Sequence, residues 1–112
     1  MIKVKRVYEK PSPQDGKRIL IDRLWPRGLK KGDTGVDEWM REIAPSAELR
    51  KWFGHDPSKY EDFKKRYFME LEKKKDLIEK IRKEGKQGTV TLIYSAKDTE
   101  HNNATVLVDL LA

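Results

Sequence analysis

The 112-residue chain contains no cysteine. Disulfides, thiolate metal ligands and a cysteine nucleophile are excluded together. Histidine is nearly as scarce: only His55 and His101 occur, far apart in sequence, so a structural zinc site has no ligand set. No apolar run approaches the ~20 residues that a membrane-spanning helix needs. The stretch Met1-Ile2-Lys3-Val4-Lys5-Arg6 alternates charged and apolar residues and lacks the apolar core of a signal peptide, so a cytoplasmic protein is expected. Asparagine occurs only as the pair Asn102-Asn103, while Lys and Glu abound. That balance resembles thermophile proteins, in which charge networks replace thermolabile amides.

What the chain has is charge. Charged residues make up 39% against 37% hydrophobic, which implies one compact core under a heavily charged surface. A single domain over residues 1–112 is expected, because two halves would each be marginal. The net charge of +6 is unevenly spread. Residues 1–35 hold ten basic and four acidic side chains, hence +6, and residues 57–86 hold eleven and seven, hence +4. Residues 36–56 and 87–112 each carry −2. The 57–86 excess reads as a solvated helix face. The N-terminal excess includes Arg23 and Arg27 on either side of Trp25, and a basic balance of this kind permits phosphate or nucleic-acid partners.

Three segments read as strands. In 2–8, Ile2 and Val4 alternate with Lys3 and Lys5; in 18–25, Ile19-Leu20-Ile21 is continuous enough for burial on both faces; 89–95 is TVTLIYS. Prolines and Asp15-Gly16 make 9–17 a loop, and three glycines do the same for 28–35. Val36, Trp39, Met40 and Ile43 have the i, i+3, i+4, i+7 spacing of a helix ended by Pro45. Ser46 caps a second helix that buries Leu49, Trp52 and Phe53 before Gly54. Asp56-Pro57 opens a third, with the stripe Tyr60, Phe63, Tyr67 and Leu71. An unbroken helix over 57–84 would reach about 40 Å, too long for so small a domain, so a break is expected near 73–76. A last helix presents Ala104, Leu107, Val108 and Leu111 on one face. The fold expected is α/β: a short sheet with parallel pairing of at least the 18–25 and 89–95 strands, under four to five helices. Whether 2–8 pairs parallel or antiparallel with 18–25 stays open, since nine intervening residues are long for a hairpin and short for a crossover.

Polar residues gather in three places. The run Asp22-Arg23-Leu24-Trp25-Pro26-Arg27-Gly28 follows a strand, and open α/β sheets bind ligands beyond the carboxyl ends of strands. Arg23, Trp25 and Arg27 there suit a phosphate or carboxylate beside a planar group. The plainer alternative pairs Asp22 with an arginine and packs Trp25 as core. In Trp52-Phe53-Gly54-His55-Asp56-Pro57, apolar anchors and caps link two helices; the His55 imidazole suits an acid or base, but a structural turn residue is the better reading. In the stretch from Tyr94 to Ala104, a strand exit meets a helix start, a ready anion site to which Lys97, His101, Asn102 and Asn103 add donors. Asp98 or Thr99 as a simple cap, and Glu100 repelling an anion, weigh against it. None of these spacings is a phosphate-loop or zinc signature.

DRLWPRG at 22–28, ELRKWFGHDP at 48–57 and LIYSAKDTEHNNA at 92–104 together resemble the YeaO-like subgroup of the domain of unknown function 488 family, over nearly the whole chain. The resemblance implies a compact α/β domain of bacterial and archaeal type and supplies no activity. Other branches of that family tend to carry a cysteine at the position of Tyr94 and a Cys-His-Arg run where this chain has Asn102-Asn103-Ala104. A cysteine and arginine so placed would suggest thiol or phosphate-ester chemistry; this chain has neither.

The function expected is recognition of an anionic, phosphate-bearing small molecule by Arg23, Trp25, Arg27, Tyr94, Lys97, Asn102 and Asn103. If chemistry occurs, His101 or His55 is the acid/base and Asp98 its orienting partner. No cofactor and no metal are implied, although Asp22 and Asp98 together suit Mg²⁺. The rival classes are a nucleic-acid-binding accessory protein, resting on the basic N-terminal third and lysine-rich third helix, and a purely structural partner subunit.

Overall fold

A computed structural model describes all residues, 1–112. Four strands form one wholly parallel sheet: β1 (Ile2–Arg6), β2 (Lys17–Leu20), β3 (Glu38–Trp39) and β4 (Val90–Tyr94), in the order β1-β4-β2-β3. The two strands expected to be neighbours are so: Ile19 lies opposite Leu92 and Leu20 opposite Ile93. β4 is buried at every position, as its apolar run requires of a central strand.

β1 and β2 do not touch. Both flank β4, so residues 7–16 cross over it, a parallel connection made without a full helix. A 3₁₀ turn, Pro13–Asp15, compacts this crossover, with Pro at its start and Ser12 and Asp15 exchanging cap hydrogen bonds. Asp15, only 5% exposed, fastens it: its carboxylate meets Lys5 Nζ at 3.1 Å and Arg18 Nη1 at 2.5 Å, and its carbonyl accepts from Thr91 Oγ1. Gly16 follows with φ +62° and no room for a side chain, since a Cβ would sit 2.1 Å from the Thr89 carbonyl oxygen.

The helices are α1 (Lys31–Thr34), α2 (Ala47–Phe53), α3 (Tyr60–Leu71), α4 (Lys75–Gln87) and α5 (Asn103–Leu111). Ile19, Ile21, Val90, Leu92 and Tyr94 join Phe53, Phe63, Tyr67, Ile81 and Leu107 in the main core. On the other face Leu20 and Ile93 meet Val7, Trp25, Leu29 and Val36. A 3₁₀ turn at Glu72–Lys74 separates α3 from α4, where the apolar stripe loses phase.

The segment 36–43 is not a helix. Gly35 turns left-handed, the Asp37 carboxylate accepts from the Arg18 N–H, and Glu38–Trp39 adds a short edge strand beside β2. Arg41–Ile43 then forms a 3₁₀ turn, held by the Tyr67 hydroxyl donating to the Ile43 carbonyl at 2.6 Å. Val36 packs on one side of the sheet while Met40 and Ile43 enter the main core on the other, so the apparent helical stripe is divided between two layers. The second expected strand also ends early. Only Ile21, whose N–H reaches the Ile93 carbonyl, continues it past Leu20, and residues 22–25 turn away from the sheet.

No helix is long and apolar enough to cross a membrane.

Candidate functional site at the carboxyl ends of β2 and β4

Beyond these two strand ends lies a cavity of about 150 Å³. Asp22, Arg23 and Leu24 come from the exit of β2, Ser95 and Ala96 from that of β4, Asn102 and Asn103 from the start of α5. Arg50, Phe53 and His55 reach it from α2 and its turn, and Pro45 and Phe63 complete the wall.

Asp22 organises the strand ends. Its Oδ2 accepts from the Ser95 N–H (2.9 Å) and hydroxyl (2.7 Å), and its Oδ1 accepts from Asn103 Nδ2 (3.0 Å). Asn103 Nδ2 also donates to the Ile21 carbonyl, locking α5 to β2. The carboxylate pairs with no arginine. Arg23 instead donates from Nε to the Pro45 carbonyl at 3.0 Å, and its two terminal nitrogens have no protein partner. The Arg50 side chain and the His55 ring likewise make no hydrogen bond or ion pair within the chain.

The apolar wall is rigid: Phe53 and Phe63 stack with centroids 4.2 Å apart and planes 17° from parallel. His55 lies 6.4 Å from the Phe53 ring and has φ +58°, the one non-glycine residue in the left-handed region. Asp56 next to it accepts from the Ser58 N–H and hydroxyl, opening the 3₁₀ turn Pro57–Lys59 that leads into α3. Those bonds hold its carboxyl below the usual range.

The polar loop after β4 divides its labour. Asp98 Oδ1 accepts from the Glu100 and His101 N–H groups, and Oδ2 lies 3.0 Å from His101 Nδ1. These backbone bonds, Glu100 first, lower the Asp98 carboxyl. The residue that caps α5 is Asn102, not Asp98 or Thr99: its Oδ1 accepts from the Thr105 N–H, and its Nδ2 donates to the Asp98 carbonyl. His101 stands edge-on to Tyr60, centroids 5.1 Å apart, next to the cavity but outside its lining.

Of the residues singled out in the sequence, Arg23, His55, Asn102 and Asn103 therefore meet around one cavity. The others lie elsewhere. Trp25 turns to the opposite side of the 22–28 segment, where Nε1 donates to the Leu29 carbonyl and the ring meets Trp39 edge-on at 5.4 Å. Arg27 and Lys97 are exposed, and Tyr94, 3% exposed, is part of the core. Burial raises the Tyr94 hydroxyl pKa. Asp22 and Asp98 are engaged with different partners, and no group of three or more His, Asp or Glu side chains gathers to hold a metal. Arg50 was not singled out in the sequence. Its i, i+3 spacing to the buried Phe53 is the signal that places it on the cavity side of α2.

The chain is 46% identical over 110 residues to the uncharacterized protein YeaO of Escherichia coli (strain K12), which covers 98% of this chain and 96% of that one. It is 40% identical over 110 residues to the uncharacterized protein Rv3073c of Mycobacterium tuberculosis (strain H37Rv), covering 98% and 92%. No solved structure matches it. The family description "Inactive DUF488-N3 subclade" matches residues 1–112, and the chain belongs to that family.

Proposed function

We propose that this protein binds an anionic, phosphate-bearing group in the cavity beyond β2 and β4, and that it binds without turning its ligand over. The observation that carries the reading is a charge imbalance. Arg23 and Arg50 present unused guanidinium donors to a cavity whose one carboxylate, Asp22, already accepts three hydrogen bonds. With His55 neutral the lining carries +1, and with it protonated +2. Guanidinium forks suit phosphate and carboxylate, and the stacked Phe53 and Phe63 give an apolar wall beside them. A cavity near 150 Å³ holds roughly a benzene-sized group, below the ~300 Å³ of a typical small-molecule pocket. The ligand's anionic end would sit inside and the rest outside.

Binding without chemistry agrees with the family's printed description as inactive and with the absence of cysteine. Asp98 and His101 pair with each other outside the cavity lining, which leaves His55 as the lone titratable imidazole there.

The test is calorimetric titration of inorganic phosphate, ribose 5-phosphate and AMP into wild type, Arg23→Ala and Arg50→Ala. Removing one charge-assisted contact costs about 1.5–3 kcal/mol, so each variant should weaken binding by about tenfold or more; Arg50→Ala should do so at an unchanged melting temperature, whereas Arg23→Ala also gives up the hydrogen bond to the Pro45 carbonyl. Binding by none of the three, or binding indifferent to both arginines, would refute the reading.

A further inference from the structure

Three of the six exposed large hydrophobic side chains, Tyr8, Leu24 and Trp39, lie at or just beyond the carboxyl ends of successive strands. They belong to one band. The Tyr8 hydroxyl donates to the Arg27 carbonyl at 3.2 Å, and Trp39 Nε1 donates to the Asp22 carbonyl at 2.7 Å, so both rings are tied to the segment that also supplies Arg23. Trp25 meets Trp39 edge-on. Arginine accompanies the rings: Arg6 lies 5.1 Å from the Tyr8 centroid while donating to the Ala96 and Ser95 carbonyls, Arg41 lies 5.4 Å from the Trp39 centroid, and Arg27 is exposed. Arg41 makes no other side-chain contact of hydrogen-bond or ion-pair type. Two carboxylates of the same region accept hydrogen bonds, Glu9 from the Arg6 N–H and Asp22 from Ser95 and Asn103, and neither forms an ion pair with Arg27 or Arg41.

From this juxtaposition we propose that the carboxyl-end band of the sheet is a binding surface for single-stranded nucleic acid, with the neighbouring cavity taking one phosphate of the strand. The inference rests on the anion reading of the cavity and extends it to a polymer. Bases offer flat π-faces to Tyr8 and Trp39, and the guanidinium groups of Arg27 and Arg41 are free to meet a phosphate backbone. A protein partner also favours Tyr, Trp and Arg, but that partner would have to answer the basic charge with carboxylates of its own. A polyanion answers it at every residue. The chain's +6 charge favours the same class.

The probe is a short fluorescent oligothymidylate, with binding followed by anisotropy as salt is raised. Wild type should bind with an affinity that falls steeply with salt. Tyr8→Ala and Arg41→Ala lie outside the cavity, so each should weaken oligonucleotide binding about tenfold while leaving the calorimetric affinity for inorganic phosphate unchanged. Arg27→Ala should lower the salt dependence. Phosphate binding without oligonucleotide binding overturns this inference and leaves the cavity reading standing. Oligonucleotide binding that survives both Tyr8→Ala and Arg41→Ala also overturns it. So does self-association in sedimentation that Tyr8→Ala abolishes, because the band would then belong to a second copy of the chain.

Discussion

His55 is where a single residue most clearly departs from what stability alone would choose. A left-handed backbone costs a non-glycine residue roughly 1–2 kcal/mol, and such strain tends to persist where a side chain is needed. Glycine would relieve it, less the ~0.5–1 kcal/mol of chain entropy that glycine gives up on folding. His55→Gly is therefore expected to raise unfolding stability by up to about 1 kcal/mol in urea titration while weakening phosphate binding. A variant that is less stable and binds normally would make His55 a structural turn residue, the preference its sequence context suggested. At this scale the candidate site was half legible. Arg23 and the Asn102-Asn103 pair follow strands, and strand exits are where α/β sheets place ligands. Trp25 and Arg27 follow the same strand, but β2 ends at Leu20 and the chain turns, so sequence adjacency no longer fixed the side to which each side chain points.

Among the elements, the crossover 7–16 is fastened by a buried charge. Burial alone would raise the Asp15 carboxyl, yet the Ser12 N–H, Lys5 and Arg18 together outweigh it and hold the group below its usual range. Glu38 on β3 is also lowered, chiefly by Lys80 and, against some burial, by Lys17. Lys17 bridges to Glu84 on α4 as well, at 2.7 Å, so one ion network spans β2, β3 and α4. A carboxyl whose folded pKa is depressed stabilises fully above its unfolded value and loses that contribution as pH falls through the folded one. The melting temperature should therefore hold near neutrality and fall below about pH 4. Asp15→Asn should flatten that fall and cost about 3 kcal/mol at neutral pH, because Arg18 would be left buried without its counter-charge. A variant as stable as wild type would show that the crossover stands on its apolar contacts. β1, β2, β4, α2, the break before α4 and α5 were readable from period and caps. The segment 36–43 was not, because Trp39 lies in the edge strand and Met40 directly after it, while helical spacing alone cannot tell one layer from two.

For the whole molecule, parallel topology is the fact from which the rest follows. A central β4 between β1 and β2 brings the exits of all four strands to one end, and with them the cavity and the arginine-bearing aromatic band. The parallel pairing of β2 with β4 was legible because a long helical crossover separates them; the placement of β1 was not, because a ten-residue loop performs a connection usually made by a helix. In the proposed function this end of the sheet holds an anion between Arg23 and Arg50. The most direct measurement is a crystal soaked in tungstate, a phosphate mimic with a strong anomalous signal. An anomalous peak is expected in the cavity within hydrogen-bond distance of both guanidinium groups, lost in the Arg23→Ala, Arg50→Ala double variant. A well-diffracting soaked crystal with no peak there, or with peaks only on the lysine-rich face of α3 and α4, would contradict it.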